Sequence, residues 1–235
     1  MVQVRTARVV ATRALSPSVQ GLSLAFDDGP LAFTAGQWLH LHVPTSAGIE
    51  KRAYSIASGP GVAPLELAIT HVADGAASPV LCELEVGTSL PCDGPHGFFT
   101  RDAPAEPHPA LLVGTGTGLC PLRSMLTEIL ATPGHPPMTL LFGVRTEADI
   151  LYREELEAWA ARDPSFRLEV TLSRPDASWR GRTGYVQTHV AELARDLAAP
   201  HVFICGLARM VGEVRALCKA ELGLDRKRIH AERYD

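Results

Sequence analysis

The chain has 235 residues, 46% of them hydrophobic and 20% charged, with a formal net charge of -4. This is an ordinary globular composition, with material for one large domain or two modest ones. The acidic balance supplies no basic field for nucleic acid or an anionic membrane. No stretch is apolar for long enough to span a bilayer or to act as an N-terminal leader, so a cytoplasmic protein is expected.

The first hundred residues read as β-rich. WLHLHV (38–43) alternates apolar and polar side chains, and LELAITHV (65–72) is a second short strand-like run. Turn signals separate such runs: DDGP (27–30), PTSAG (44–48), SGPG (58–61), DG (74–75) and DGPHG (93–97). Short strands at this spacing predict a small antiparallel barrel. RDAPAEPHPA (101–110) carries three prolines and several charges, the composition of an interdomain linker. It places one domain at 1–103 and another at 104–235.

Beyond the linker the rhythm changes. ALLVG, MTLLFGV, RLEVTLS and HVFICG read as strands. PLRSMLTEIL, ADILYREELEAWAA, YVQTHVAELARDL and ARMVGEVRALCKAEL read as helices. This alternation predicts a doubly wound α/β domain on a parallel sheet. The expected fold is therefore an antiparallel β-barrel followed by a nucleotide-binding α/β domain. Leucine periodicity within the helices at 151–160 and 211–222 is ordinary packing, and a monomer is expected.

Cys82, Cys92, Cys120, Cys205 and Cys218 are odd in number and scattered, which points to thiols rather than a disulfide framework. No C-x-x-C or C-x4-C-x2-C spacing occurs, so no iron–sulfur cluster is expected within the chain. His40 and His42 share one strand face, but sequence shows no third ligand nearby. They read as a polar face, and no metal is expected.

Four clusters carry chemistry. Arg52-Ala53-Tyr54-Ser55 ends a predicted barrel strand and offers a donor fork, a flat ring and a hydroxyl. Asp74-Gly75-Ala76-Ala77-Ser78-Pro79 is a tight turn opening a helix, suited to an anion or simply a capped start. Gly114-Thr115-Gly116-Thr117-Gly118 follows the strand ALLV. Its small residues allow phosphate to approach the backbone, although the spacing is not G-x-G-x-x-G. Cys205-Gly206-Leu207-Ala208-Arg209 follows HVFI at the carboxyl end of a parallel strand, where ligands gather in such sheets.

In order and spacing these clusters resemble the ferredoxin–NADP+ reductase family, especially its short bacterial members. FTAGQW (33–38), RAYSIAS, LELAITHVADGAASPVLCEL (65–84), GTGTGLCP, FGVRTEADILY, LSR, CGLARM and the terminal AERYD carry the resemblance. It implies an FAD-dependent enzyme moving electrons between NADP(H) and ferredoxin or flavodoxin, with hydride transfer at flavin N5. It also implies that Arg52, Ala53, Tyr54 and Ser55 hold FAD, with Tyr54 on the isoalloxazine and Ser55 near N5. Leu67, Ala68, Ile69 and Thr70 would contact FAD, and Ala76, Ala77 and Ser78 its pyrophosphate. Thr115, Gly116, Thr117, Gly118 and Gly206 would receive the dinucleotide. Cys205 would lie by the nicotinamide, and Glu232 and Tyr234 would flank the flavin. Arg145, Ser173, Arg174 and Arg182 fall where NADP-using relatives gather the 2′-phosphate. The loop DGPHGFF (93–99) is also like that of oxygenase reductases, so an NADH-dependent oxygenase component or a free flavin reductase stands as the alternative.

Overall fold

The computed structural model describes residues 4–101 and 107–234. The first half contains β1 (Val4–Ser16), β2 (Val19–Phe26), β3 (Trp38–Thr45), β4 (Gly48–Ser55), β5 (Leu65–Thr70), α1 (Ser78–Cys82) and β6 (Ser89–His96). Every pairing in this sheet is antiparallel, in the order β4-β3-β6-β1-β2-β5. A bridge from Ile56 to Leu67 ties the end of β4 to β5 and closes the edges into a barrel. Along β3 the period of two sends Leu39, Leu41 and Val43 into the core and leaves His40 and His42 on the other face.

The second half runs β7 (Ala110–Thr115), α2 (Leu119–Ile129), β8 (Met138–Val144), α3 (Arg153–Arg162), β9 (Phe166–Leu172), β10 (Arg182–Thr183), α4 (Gln187–Arg195), β11 (His201–Gly206), α5 (Ala208–Ala220) and β12 (Ile229–Arg233). Its six strands are all parallel, ordered β10-β9-β8-β7-β11-β12. Ala110 through Val113 and Val202 through Ile204 are fully buried, as expected for central strands covered on both faces. The core on one side includes α2 and Leu156 of α3. The core on the other includes residues of α4 and α5. The chain steps outward from β7 to β10 and then returns to β11 on β7's other flank. The strand order therefore reverses between β7 and β11, where doubly wound sheets place their ligands.

Two expectations need correction. The run 148–161 is not one helix. A 3-10 turn covers Glu147–Asp149, Tyr152 adopts φ +53°, and the helix begins at Arg153. Tyr152 is buried with the Arg123 guanidinium 4.0 Å over its ring, and that packing overrides the local helical pattern. The start of the expected linker is also no solvated spacer. Arg101 is 1% exposed, donates to the His108 carbonyl at 2.5 Å and lies over the Phe203 ring. The proposed boundary at 103/104 falls outside the described residues. All five cysteines are free, and no described helix is long and apolar enough to cross a membrane.

Candidate functional site

The barrel contributes the end of β4 and the strand β5. Tyr54 packs half-buried against the barrel core with Val80 and Cys82, and burial pushes its phenol up to about 12. The hydroxyl is therefore neutral, and Tyr54 acts as a flat, uncharged ring. Arg52 is exposed, pairs with Glu50 and donates to the Lys51 carbonyl. Ser55 is paired in register with Trp38. Leu67, Ala68 and Ile69 are buried, whereas Thr70 is exposed at the strand end. In the following turn the Ser78 hydroxyl accepts from Val72 N at 3.1 Å and donates to the Val72 carbonyl. That closes the loop and commits the Ser78 hydroxyl to it.

Opposite β5 lies the glycine-rich turn at the end of β7. Thr70 donates to Thr117 across this seam, Oγ1 to Oγ1, at 3.4 Å. A Cβ on Gly118 would collide with the Cys205 carbonyl. One on Gly206 would strike Thr115 Oγ1 and the Met210 methyl. The two chain reversals can touch only because glycine occupies both positions. Thr115 Oγ1 is buried with no hydrogen-bond partner among the described residues, although such an atom ordinarily finds one. Small residues, an orphaned hydroxyl and two strand ends at a switch point fit a dinucleotide.

β12 delivers the last members. Register pairs Cys205 with Glu232, and the Tyr234 hydroxyl donates to the Thr115 carbonyl at 2.9 Å. Tyr234 is 47% exposed and its hydroxyl lies beside Gly116, so the ring covers the glycine-rich turn from outside. Burial drives the Cys205 thiol well above its ordinary range, helped by the neighbouring Glu232. Cys205 is thus a neutral, polarizable wall rather than a nucleophile. Burial also raises the Glu232 carboxyl to about 7, where a carboxyl can hold or release a proton near neutrality.

The folded chain binds the Glu232 proton more tightly than the unfolded chain, so ionisation opposes folding, increasingly as pH climbs from about 4.5 to about 7. Glu232→Gln is expected to match the parent in stability at about pH 5 and to exceed it at about pH 8. Denaturant melts at both pH values check this; parallel curves would show that Glu232 stays ionised throughout.

Arg145 and Arg174 stand at the ends of β8 and β9, their backbones joined by Arg174 N donating to the Arg145 carbonyl at 2.8 Å. Ser173 N donates to the Val144 carbonyl beside them. No hydrogen bond or ion pair occupies either guanidinium among the described residues, and both residues are exposed. Arg182 differs from the expectation. Its guanidinium is spent on Glu169 at 2.7 Å and on Glu192 at 2.8 and 2.9 Å. These two carboxylates tie β10 to β9 and α4 through the same fork that a 2′-phosphate would need.

Sequence reasoning missed a further group at the domain junction. Arg123 on α2 holds both oxygens of Glu155, at 2.5 and 2.9 Å, and donates to the Ala57 carbonyl at 2.7 Å. It also contacts Glu66 at 2.9 Å. The available signal was an arginine within the otherwise apolar stripe of PLRSMLTEIL. A surface cleft of about 440 Å³ lined by Arg195, Leu222 and Arg228 lies at the amino ends of β11 and β12. It faces away from the chemistry, so we place no reaction there.

A barrel and a parallel sheet meeting at such a seam define an FAD- and NAD(P)-binding oxidoreductase. Residues 6–100 match the oxidoreductase FAD-binding domain and residues 112–216 the oxidoreductase NAD-binding domain. The chain is 54% identical over 237 residues to Ferredoxin–NADP reductase B of Sorangium cellulosum, covering 97% of each. It is 32% identical to the phenol hydroxylase P5 protein of Acinetobacter pittii, covering 100% of this chain but 66% of that one. Among solved structures it matches the Amycolatopsis cytochrome P450 reductase at a TM-score of 0.88 and 29% identity, over 99% of this chain and 70% of that one. The ferredoxin–NADP+ reductase from Plasmodium falciparum, at a TM-score of 0.83 and 23% identity over 99% and 97%, shares the fold. The chain belongs to the ferredoxin–NADP+ reductase family. It is an enzyme, a flavoprotein whose cofactors are FAD and a nicotinamide dinucleotide.

Proposed function

We propose that the protein passes electrons between NADPH and a separate one-electron carrier, ferredoxin or flavodoxin. The observation that carries this reading is the seam itself. Thr70 of the barrel touches Thr117 of the α/β domain, and Cys205, Glu232 and Tyr234 close around the same turn. When bound, FAD supplies the chemistry by accepting hydride at N5 and releasing electrons singly. Tyr54 presents a ring face to the isoalloxazine, Ser55 a hydroxyl near N5, and Arg52 a fork for the pyrophosphate in place of its pairing with Glu50. Leu67 through Thr70 line the flavin with backbone, and Ala76 through Ser78 receive the pyrophosphate. Thr115 through Gly118 and Gly206 hold the dinucleotide, Cys205 walls its nicotinamide, and Glu232 holds a proton beside it. Arg145, Ser173 and Arg174 take the 2′-phosphate. The overlap with Ferredoxin–NADP reductase B over 97% of both chains favours ferredoxin as carrier, and five free thiols suit a reducing cytoplasm. A monomer suffices, since one chain supplies every group named.

Acid-released flavin identified by chromatography tests the reading first. FAD is expected, and FMN or no flavin would overturn it. Arg52→Ala should purify with most of its flavin lost, since a charge-assisted contact to phosphate contributes about 1.5–3 kcal/mol.

Tyr234 gates the site. The nicotinamide must displace its ring, which weakens ground-state binding and eases product release. Ring contact and the bond to Thr115 together contribute on the order of 1–2 kcal/mol. Tyr234→Ser is therefore expected to bind NADP+ roughly tenfold more tightly and to turn over more slowly. Titration of the flavin spectrum with NADP+ checks it; unchanged affinity and rate would make Tyr234 an idle terminus.

A further inference from the structure

The pair His40 and His42 acquires partners that sequence did not show. Register sets His40 of β3 opposite Asp93 of β6, and Asp93 is 7% exposed. Its Oδ1 accepts from His40 Nδ1 at 3.1 Å and from His96 Nε2 at 2.7 Å. Its Oδ2 accepts from His42 Nε2 at 2.6 Å and from Lys51 Nζ at 2.9 Å. Three imidazoles therefore converge on one buried carboxylate, and the ligand atoms of His40, Asp93 and His96 all lie within 4.8 Å of one another. The expectation of no third ligand fails because barrel closure brings together residues more than fifty positions apart.

We propose that His40, Asp93 and His96 form a binding site for a divalent transition metal of borderline softness, with zinc the best match. Zinc takes imidazole nitrogen at about 2.0–2.1 Å and carboxylate oxygen at about 2.0–2.2 Å, which in a tetrahedron puts ligand atoms roughly 3.3 Å apart. The present separations need only side-chain adjustment to reach that, and His42 stands by as a fourth nitrogen. Two nitrogens already address the same oxygen, Oδ1, so a cation can take the place of the protons between them. In neutral rings each proton moves to the other ring nitrogen, and no co-reactant is required. Nitrogen and mixed ligands disfavour magnesium and calcium, which prefer all-oxygen shells. Lys51 sits on Oδ2, the oxygen left over, and its ammonium opposes the incoming cation.

The site is separate from the proposed cofactor seam but adjoins it. Trp38 packs against His40 and His96 at ring-centroid distances of 4.8 and 4.7 Å. Gly97 lies against the Trp38 indole, with Glu232 Oε2 just beyond. The inference stands whether or not the carrier assignment does.

Calorimetric titration of the chelator-treated, FAD-loaded protein with Zn²⁺ alone is the test. One equivalent per chain with a micromolar or tighter Kd is expected. His40→Gln and His96→Gln should each weaken binding about 100-fold, with flavin content and melting temperature confirming a folded protein. Lys51→Gln should tighten binding roughly tenfold, because it removes a like charge from the same carboxylate. This variant decides the matter if the histidine variants fold poorly. No saturable binding, binding that survives the His40/His96 double variant, or Lys51→Gln without tightening would overturn the proposal. So would loss of binding in His201→Gln, which would place zinc in the other imidazole cluster, His201 stacked on His108 and His230.

Discussion

Arg123→Met is expected to destabilise the protein by about 3–5 kcal/mol, the range for removing one partner of a buried ion pair. The substitution keeps an unbranched chain over Tyr152 but strips the donors from three places at once. Ala57's carbonyl loses its 2.7 Å bond, Glu66 its contact at 2.9 Å, and Glu155 both of its bonds. Glu155 then loses its cation among the described residues, and Glu66 keeps only Arg13, at 3.2 Å. Ala57 and Glu66 belong to the barrel half, whereas Arg123 and Glu155 belong to the α/β half. The effect should thus appear as loosened domains as well as a lower melting temperature, by roughly 10 °C for a chain of this size. Thermal melting checks the size of the loss. Glu155→Gln in the same background should restore part of it, because the uncompensated charge goes. A drop below about 1 kcal/mol would mean that solvent screens the network as it does a surface pair.

Arg145→Ala with Arg174→Ala should cut kcat/KM for NADPH by at least about 100-fold while changing NADH little. Each charge-assisted contact to a dianion contributes about 1.5–3 kcal/mol, and 1.4 kcal/mol is a factor of ten. Both side chains are exposed and have no hydrogen bond or ion pair among the described residues, so the loss should report binding rather than a change in the fold. Arg182→Ala serves as the contrast. Its fork holds Glu169 and Glu192, so it should lower stability and depress both cofactors alike. An NADH preference in the parent protein would overturn the 2′-phosphate assignment and favour the oxygenase-reductase reading.

Local signals exposed most of the architecture. Strand alternation in WLHLHV, glycine after ALLV and the run of strand–helix pairs all report on neighbours a few residues away, and the two sheets follow from them. The seam was legible for the same reason: Thr115 to Gly118, Cys205 and Gly206 end strands whose parallel order fixes where they meet. Hidden features depend on pairings distant in sequence. Asp93 reads as part of a turn until β6 lies beside β3 and gathers His40, His42 and His96 around it. Arg182 reads as a loop cation until β9 and α4 place Glu169 and Glu192 on its fork. Tyr152 sits in a helical pattern, yet it takes φ +53° with two guanidinium groups, those of Arg13 and Arg123, over its buried ring.

The central claim is that this chain moves electrons from NADPH through FAD to a separate one-electron carrier. Anaerobic mixing of the purified yellow protein with NADPH, followed by oxidised ferredoxin or flavodoxin, tests it in one cuvette. The account predicts that NADPH bleaches the flavin much faster than NADH does, and that adding the carrier restores the colour as the carrier becomes reduced. A flavin that NADPH leaves oxidised, or a reduced flavin that neither carrier reoxidises, would contradict it.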